Sequence, residues 1–310
     1  MIYKLWLNRK YRLSKIFIPA IIFIISGSLS YSQELEPRGY SVIPKDVKGL
    51  AFGYSLSSGA IVTDATSPFS DFDVISHSAY AGAFRSFGIF GKLARAQFSV
   101  PFVYMSGDLK VNGKDTTGTR IGFGDARFRL GVNIFGSPAL SPKDFKKFKE
   151  EVVLGTSVVV SIPTGQYDNT KIINLGSNRW GFKPEIGFSY GYNRFYFEMY
   201  SGVWLFTPNN EYLQTKTLKQ DPIISLQAHI IYTFRSNIWL GLDGNYFFGG
   251  KSQIDGIYQK DIMKNSRFGG VVGYSFDANH SLKFQAHTGV VTFTGSSYTV
   301  FTLLYQYIWF

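Results

Sequence analysis

Residues 124–134 read GDARFRLGVNI, and no stretch of the chain restricts its fold more tightly. Gly124, Ala126, Phe128, Leu130, Val132 and Ile134 take the even positions, and Asp125, Arg127, Arg129, Gly131 and Asn133 the odd ones. Successive side chains of an extended strand point to opposite faces. As a strand, this stretch has one apolar face and one face carrying three charges. A half-buried strand of a soluble sandwich shares the period, but its polar face is ordinarily a mixed solvent surface between short turns. Charges flanked by glycines opposite a large apolar face read instead as one stave of a transmembrane barrel, with lipid outside and a polar lumen inside.

The pattern recurs. Segments near 50–57, 74–84, 95–104, 152–162, 180–189, 195–205, 224–232, 238–248, 267–276, 282–290 and 298–310 bring the total to twelve. The facing of the second and of the last is not readable; in the last, both faces are rather apolar. A strand tilted across a bilayer needs only about 9–11 residues. An even number of strands returns both ends of the barrel to one side. Short connections after the second, sixth, eighth and tenth segments alternate with long polar ones such as Thr164–Arg179 and Gly250–Ser266. Short periplasmic turns and longer external loops produce that alternation. The expected fold is all-β: a closed, up-and-down, antiparallel transmembrane barrel of about 12 strands over residues 50–310. The Thr164–Arg179 loop is long enough to gate it.

Composition agrees. The chain has 29 Phe, 20 Tyr, 32 Gly and no Cys, with mean hydropathy close to zero. No apolar run reaches the roughly 18 residues a spanning helix requires. The net charge is +11, and five of those charges (Lys4, Arg9, Lys10, Arg12 and Lys15) precede the first apolar run, leaving an excess of six. That remainder shows no clustered basic stripe of the kind that binds nucleic acid. Residues 1–32 read as a secretory signal, with a basic start, an apolar stretch from Ile16 to Ile25 and a small-x-small site ending at Ser32. Residues 33–49, with two prolines and no period, read as a periplasmic lead-in. Ser141–Glu151 breaks the short-turn rule: Ser141 can cap, Pro142 suits the first helical position, and a short basic helix under the barrel is expected.

The inward charges are Arg95, Asp125, Arg127, Arg129, Lys183, Glu185, Glu198, Asp243, Arg267 and Lys283. Asp125 with Arg127, and Lys183 with Glu185, are same-face pairs about 7 Å apart by strand geometry. Two readings stand: a paired network that braces the lumen, or a constriction that filters solutes by charge. Arginines outnumber carboxylates on the third and fourth segments, so a filter there favours anions. Tyr196, Tyr200 and Trp204 face inward, where they either stack an aromatic solute or fill space. His229 and His287 fall on strands that are not neighbours, which argues against a metal site. No cofactor-binding motif is present. An outer-membrane lipid-acting enzyme would need a Ser–His pair on adjacent strands, and Ser225 and His229 share one strand.

Several local motifs resemble the outer-membrane transporter family labelled "MetA-pathway of phenol degradation". They are EPRGYSVIPKDVKG at 36–49, Gly122-Phe123-Gly124-Asp125, Pro163-Thr164-Gly165-Gln166-Tyr167-Asp168, Leu175-Gly176-Ser177-Asn178-Arg179-Trp180, and Gln220-Asp221-Pro222 leading to Gln227-Ala228-His229. The lead-in departs from the family at Ile43-Pro44-Lys45. The resemblance implies an outer-membrane channel passing small solutes, aromatic or hydrophobic compounds among them, by passive diffusion. A structural or adhesion barrel with a plugged lumen is the alternative. The terminal Phe310, with Ile308 two residues before it, resembles the signal read by the outer-membrane assembly machinery.

Overall fold

The computed structural model describes residues 35–62, 69–111, 114–171, 173–235 and 237–310. The secretory signal expected over residues 1–32 lies outside the described residues. The strands are β1 (Lys48–Val62), β2 (Phe69–Ile89), β3 (Lys92–Val111), β4 (Lys114–Phe123), β5 (Ala126–Phe135), β6 (Val152–Ile162), β7 (Gly181–Tyr192) and β8 (Phe195–Phe206). Then come β9 (Asn209–Tyr212), β10 (Lys216–Gln220), β11 (Ile223–Arg235), β12 (Ile238–Gly249), β13 (Ser252–Ile254) and β14 (Ile257–Tyr258). The chain ends with β15 (Met263–Ser275), β16 (His280–Val291) and β17 (Gly295–Trp309). One helical turn, α1 (Pro142–Phe145), interrupts them.

Twelve of these strands form a closed antiparallel barrel, because β1 pairs with β2 on one side and with β17 on the other. The other strands of the wall pair with their neighbours in chain order. β4 is the addition. It extends the β3 hairpin beyond the barrel, and β5 replaces it on β3 from Ser99 to Ala94. The strand expected from Gly124 therefore starts at Ala126. Gly122, at φ +148°, and the Gly124 N–H bonded to Pro101 O (3.0 Å) make the jog between them. β9, β10, β13 and β14 pair into a small sheet among the loops.

The wall alternates as a lipid-facing sheet must. Along β7, residues 181 to 190 alternate strictly between buried and exposed. Ile186, Met199 and Leu242 are each more than half exposed on the outside, surface that only lipid tails can cover at low cost. One end of the barrel has tight turns. The β2–β3 turn is Phe90-Gly91, both with positive φ, as a two-residue hairpin requires. The other end carries the long loops.

The two strands with unreadable facing are now explained. On β2 the inward face includes Tyr80 and Phe84, while Ala79 and Ala81 point out. On β17, Leu304 and Ile308 point in. These inward apolar groups meet a core inside the lumen. Its centre is the segment before β1, where Tyr40, Val42, Ile43 and Val47 pack against Phe84, Leu93, Val153, Leu304, Ile308 and Phe145. Residues 35–47 thus lie within the barrel, a correction to the expected lead-in outside it. An irregular segment carries no period, so pattern alone cannot place it. Around α1, Ser141 caps through the Asp144 N–H as expected, but Phe145 and Phe148 turn inward onto the same core. The long turn is a lid for the turn end of the barrel.

Candidate functional site

Residues 35–42 thread the lumen, and the wall holds them by side chains from eight strands or turns. Gln285 Nε2 donates to Leu35 O (3.2 Å), and Glu36 N–H donates to Gln227 Oε1 (3.0 Å). Arg38 N–H donates to Glu198 Oε2 (2.6 Å), and Gly39 N–H to the Tyr200 hydroxyl (2.9 Å). Arg95 Nη2 donates to Ser41 O (2.5 Å), and Asn133 Nδ2 to Tyr40 O (3.0 Å). Val42 N–H reaches Glu150 Oε2 at 3.4 Å, and the Glu36 carboxylate pairs with Arg129. A backbone without its own ladder must find partners elsewhere when buried, and here the inward polar residues supply them.

The charges meet at Glu185. It accepts from Arg129 Nη2 (2.8 Å) and forms an ion pair with Lys183 Nζ (3.0 Å), and all three are buried or nearly so. Lys183 lies over the Trp204 ring at 5.6 Å. Buried charges persist only when paired in this way.

Tyr40 sits in a bay of the β6–β7 wall. Its two ring edges rest on Gly155 and Gly187, which face each other across those strands. A Cβ on either glycine would overlap the ring. Tyr200 meets the ring edge-on at 5.1 Å, and the Arg129 guanidinium lies 5.2 Å from its centre. Arg129 Nε donates to Ser157 Oγ (3.2 Å), and the Ser157 hydroxyl and Tyr40 Oη are 3.0 Å apart. The Tyr40 hydroxyl donates to Glu185 Oε1 (3.0 Å). Since that uses the phenol's only proton, Ser157 is the donor to Tyr40.

The sequence-derived candidates fall into three groups. Arg95, Arg129, Lys183, Glu185 and Glu198 converge on the lead-in. Asp243 and Lys283 belong to the opposite wall, where Asp243 Oδ1 lies 2.7 Å from His229 Nδ1. Arg267, on the neighbouring strand, donates to Tyr298 O. Arg127 is half-buried and stands opposite Ser99 and Ser161. Asp125 is corrected: it precedes β5 and accepts from Gly165 N–H (2.9 Å), Ser177 N–H (2.9 Å) and Ser177 Oγ (2.6 Å). It ties the 163–180 loop to the rim. Tyr196 lies under Arg38 (4.6 Å), Tyr200 serves Gly39 and Tyr40, and Trp204 lies under Lys183, so all three faces are taken by the chain itself. Ile308 is buried toward the lumen, and Phe310 lies past β17, exposed.

Beside the lead-in, Gly39, Tyr40, Arg95, Gln97, Arg129, Gly131 and Asn133 line a cavity of about 10 Å³. That holds one water at most. The sequence reading missed the lead-in's insertion and the Gly155–Gly187 pair. Both glycines sit at inward positions, but only the register puts them side by side.

A closed, lipid-faced barrel with a charged lumen and both ends of its wall on one side is an outer-membrane-type β-barrel. The profile of the MetA-pathway of phenol degradation family matches residues 60–304, and the chain belongs to that family. The structure is similar to the COG4313 outer membrane channel from Pseudomonas putida F1, at 20% identity and TM-score 0.75, covering 89% of this chain and 100% of that one. It is also similar to the β domain of the Bordetella autotransporter BrkA, at 12% identity and TM-score 0.51, covering 86% and 100%. No curated protein sequence matches the chain.

Proposed function

We propose that the protein is a passive outer-membrane channel for small solutes, aromatic or hydrophobic compounds among them. The observation that carries this is the lumen itself: a ring of buried, hydrogen-bonding side chains whose present partner is an irregular stretch of the chain rather than a second layer of wall. Family membership and the channel from Pseudomonas putida F1 support it. Residues 35–42 stand in the lumen, so on this reading conduction requires the lead-in to yield. Arg95 and Arg129, once uncovered, favour anions.

The tight turns then face the periplasm, the long loops face outward, and residues 1–32 are removed near Ser32. Phe310 and the strand before it address the assembly machinery. This reading is of a channel and not of an enzyme. Gly187-Phe188-Ser189-Tyr190-Gly191 has the spacing of a nucleophile elbow, but it runs along straight β7, with Ser189 beside Glu198 in register; an elbow needs a strand-to-helix turn.

The lumen-filling lead-in favours a second reading, a plugged structural barrel. Ion and solute flux in liposomes bearing the refolded chain separates them. The channel reading requires flux above that of empty vesicles, and a folded barrel that leaks nothing overturns it.

A further inference from the structure

The bay under Tyr40 is shaped for more than bulk. A plug needs only volume, and a wall side chain at Gly155 or Gly187 would supply it. Instead both positions are glycine, and the floor is as wide as one aromatic ring. The hydroxyl is read in both directions, since Ser157 donates to it and Glu185 accepts from it. Arg129 and Tyr200 close the remaining sides. A tyrosine side chain is chemically a para-alkyl phenol. The wall groups that recognise it are fixed on barrel strands, while Tyr40 is on an irregular segment held by hydrogen bonds, the Glu36–Arg129 pair and apolar packing, with no strand ladder of its own.

We propose that this bay is a binding site for a phenol, a monoaromatic ring with a free hydroxyl, and that Tyr40 is its built-in occupant, displaced when such a solute enters. This rests on the channel reading above. The para carbon of the bound ring is where Tyr40's own Cβ attaches, so para substituents are accommodated in the space the lead-in vacates. A ring whose oxygen is methylated cannot donate to Glu185, which keeps only Arg129 and Lys183. Losing a hydrogen bond to a charged group weakens binding about tenfold or more.

The test is calorimetric titration of the full chain, folded in detergent, with p-cresol and with 4-methylanisole. The ether reports partition into the micelle. In Tyr40→Ala the bay is empty, and p-cresol binds one to one. It binds wild type about tenfold more weakly or worse, since Tyr40 competes, and the ether binds Tyr40→Ala about tenfold more weakly than p-cresol. Adding Gly187→Val to Tyr40→Ala fills the floor and abolishes binding. Heat-modifiable gel mobility confirms that each variant is folded. A folded Tyr40→Ala that ignores p-cresol, or binds the ether equally, overturns the site, as does binding that survives Gly187→Val. Conductance of the same preparations tells the two ideas apart. A conducting barrel without p-cresol binding refutes the site alone, whereas a silent barrel that binds p-cresol refutes the channel.

Discussion

Replacing Gly187 by Ala should unlock the lumen. The backbone at Gly187 has ordinary strand geometry, so alanine itself is tolerated there. Its methyl group, however, would occupy space now filled by the Tyr40 ring. The wall strand is held by neighbours on both sides, so the ring is what moves. Tyr40 is 2% exposed. Expelling roughly 150 Å² of aromatic surface at about 25 cal/mol per Å² costs about 4 kcal/mol. The two hydroxyl contacts add about 1 kcal/mol each. At about 1.4 kcal/mol per decade, the seated lead-in loses three or more decades of its advantage. Trypsin provides the assay, since it cuts after Arg38, which is 8% exposed in the seated lead-in. Wild type should resist cleavage there, and Gly187→Ala should be cut quickly while its heat-modifiable mobility stays that of a folded barrel. Unchanged protection at Arg38 in a folded Gly187→Ala would refute the reasoning, because it would mean that Tyr40 is not what seats the segment.

Glu185→Gln should be the most damaging single wall change: it removes the carboxylate charge beside fully buried Lys183 and leaves Arg129 with Glu36 alone, at a cost of about 3–5 kcal/mol seen as a lower urea midpoint. Burial raises the Glu150 carboxyl above its ordinary value near 4.5. The folded state therefore binds more protons, and the stability tied to this group falls as pH climbs from that value through the raised one. Protection at Arg38 should be weaker at pH 7.5 than at pH 5, and Glu150→Gln, which can still accept from Val42, should flatten that dependence. Asp125→Asn keeps one acceptor where the loop uses both oxygens. Hydrogen exchange at Gly165 or Ser177 should accelerate, corresponding to about 1–3 kcal/mol of lost anchoring, while the barrel core stays protected.

The barrel was legible because lipid and lumen impose a period of two that sequence displays directly. β6, Val152–Ile162, coincides with its expected bounds, and Arg95, Lys183, Glu185 and Glu198 are all inward. What lay beyond the pattern is what has no period. Residues 35–47 have no ladder of their own and find their partners far along the chain, up to 250 positions away, as Leu35 does with Gln285. β4, with KDTTGTRIGF, is exposed on nearly every residue and stands beyond the wall, so neither face had to be apolar. The bay needed the register of β6 on β7, which depends on turns rather than on composition.

Single-channel recording in a planar bilayer addresses the central claim, that this barrel conducts and that residues 35–42 close it. The account predicts discrete openings that are rare in wild type, frequent in Gly187→Ala, and selective for anions in both. Folded barrels that stay silent in wild type and variant alike would contradict it and leave a plugged structural barrel.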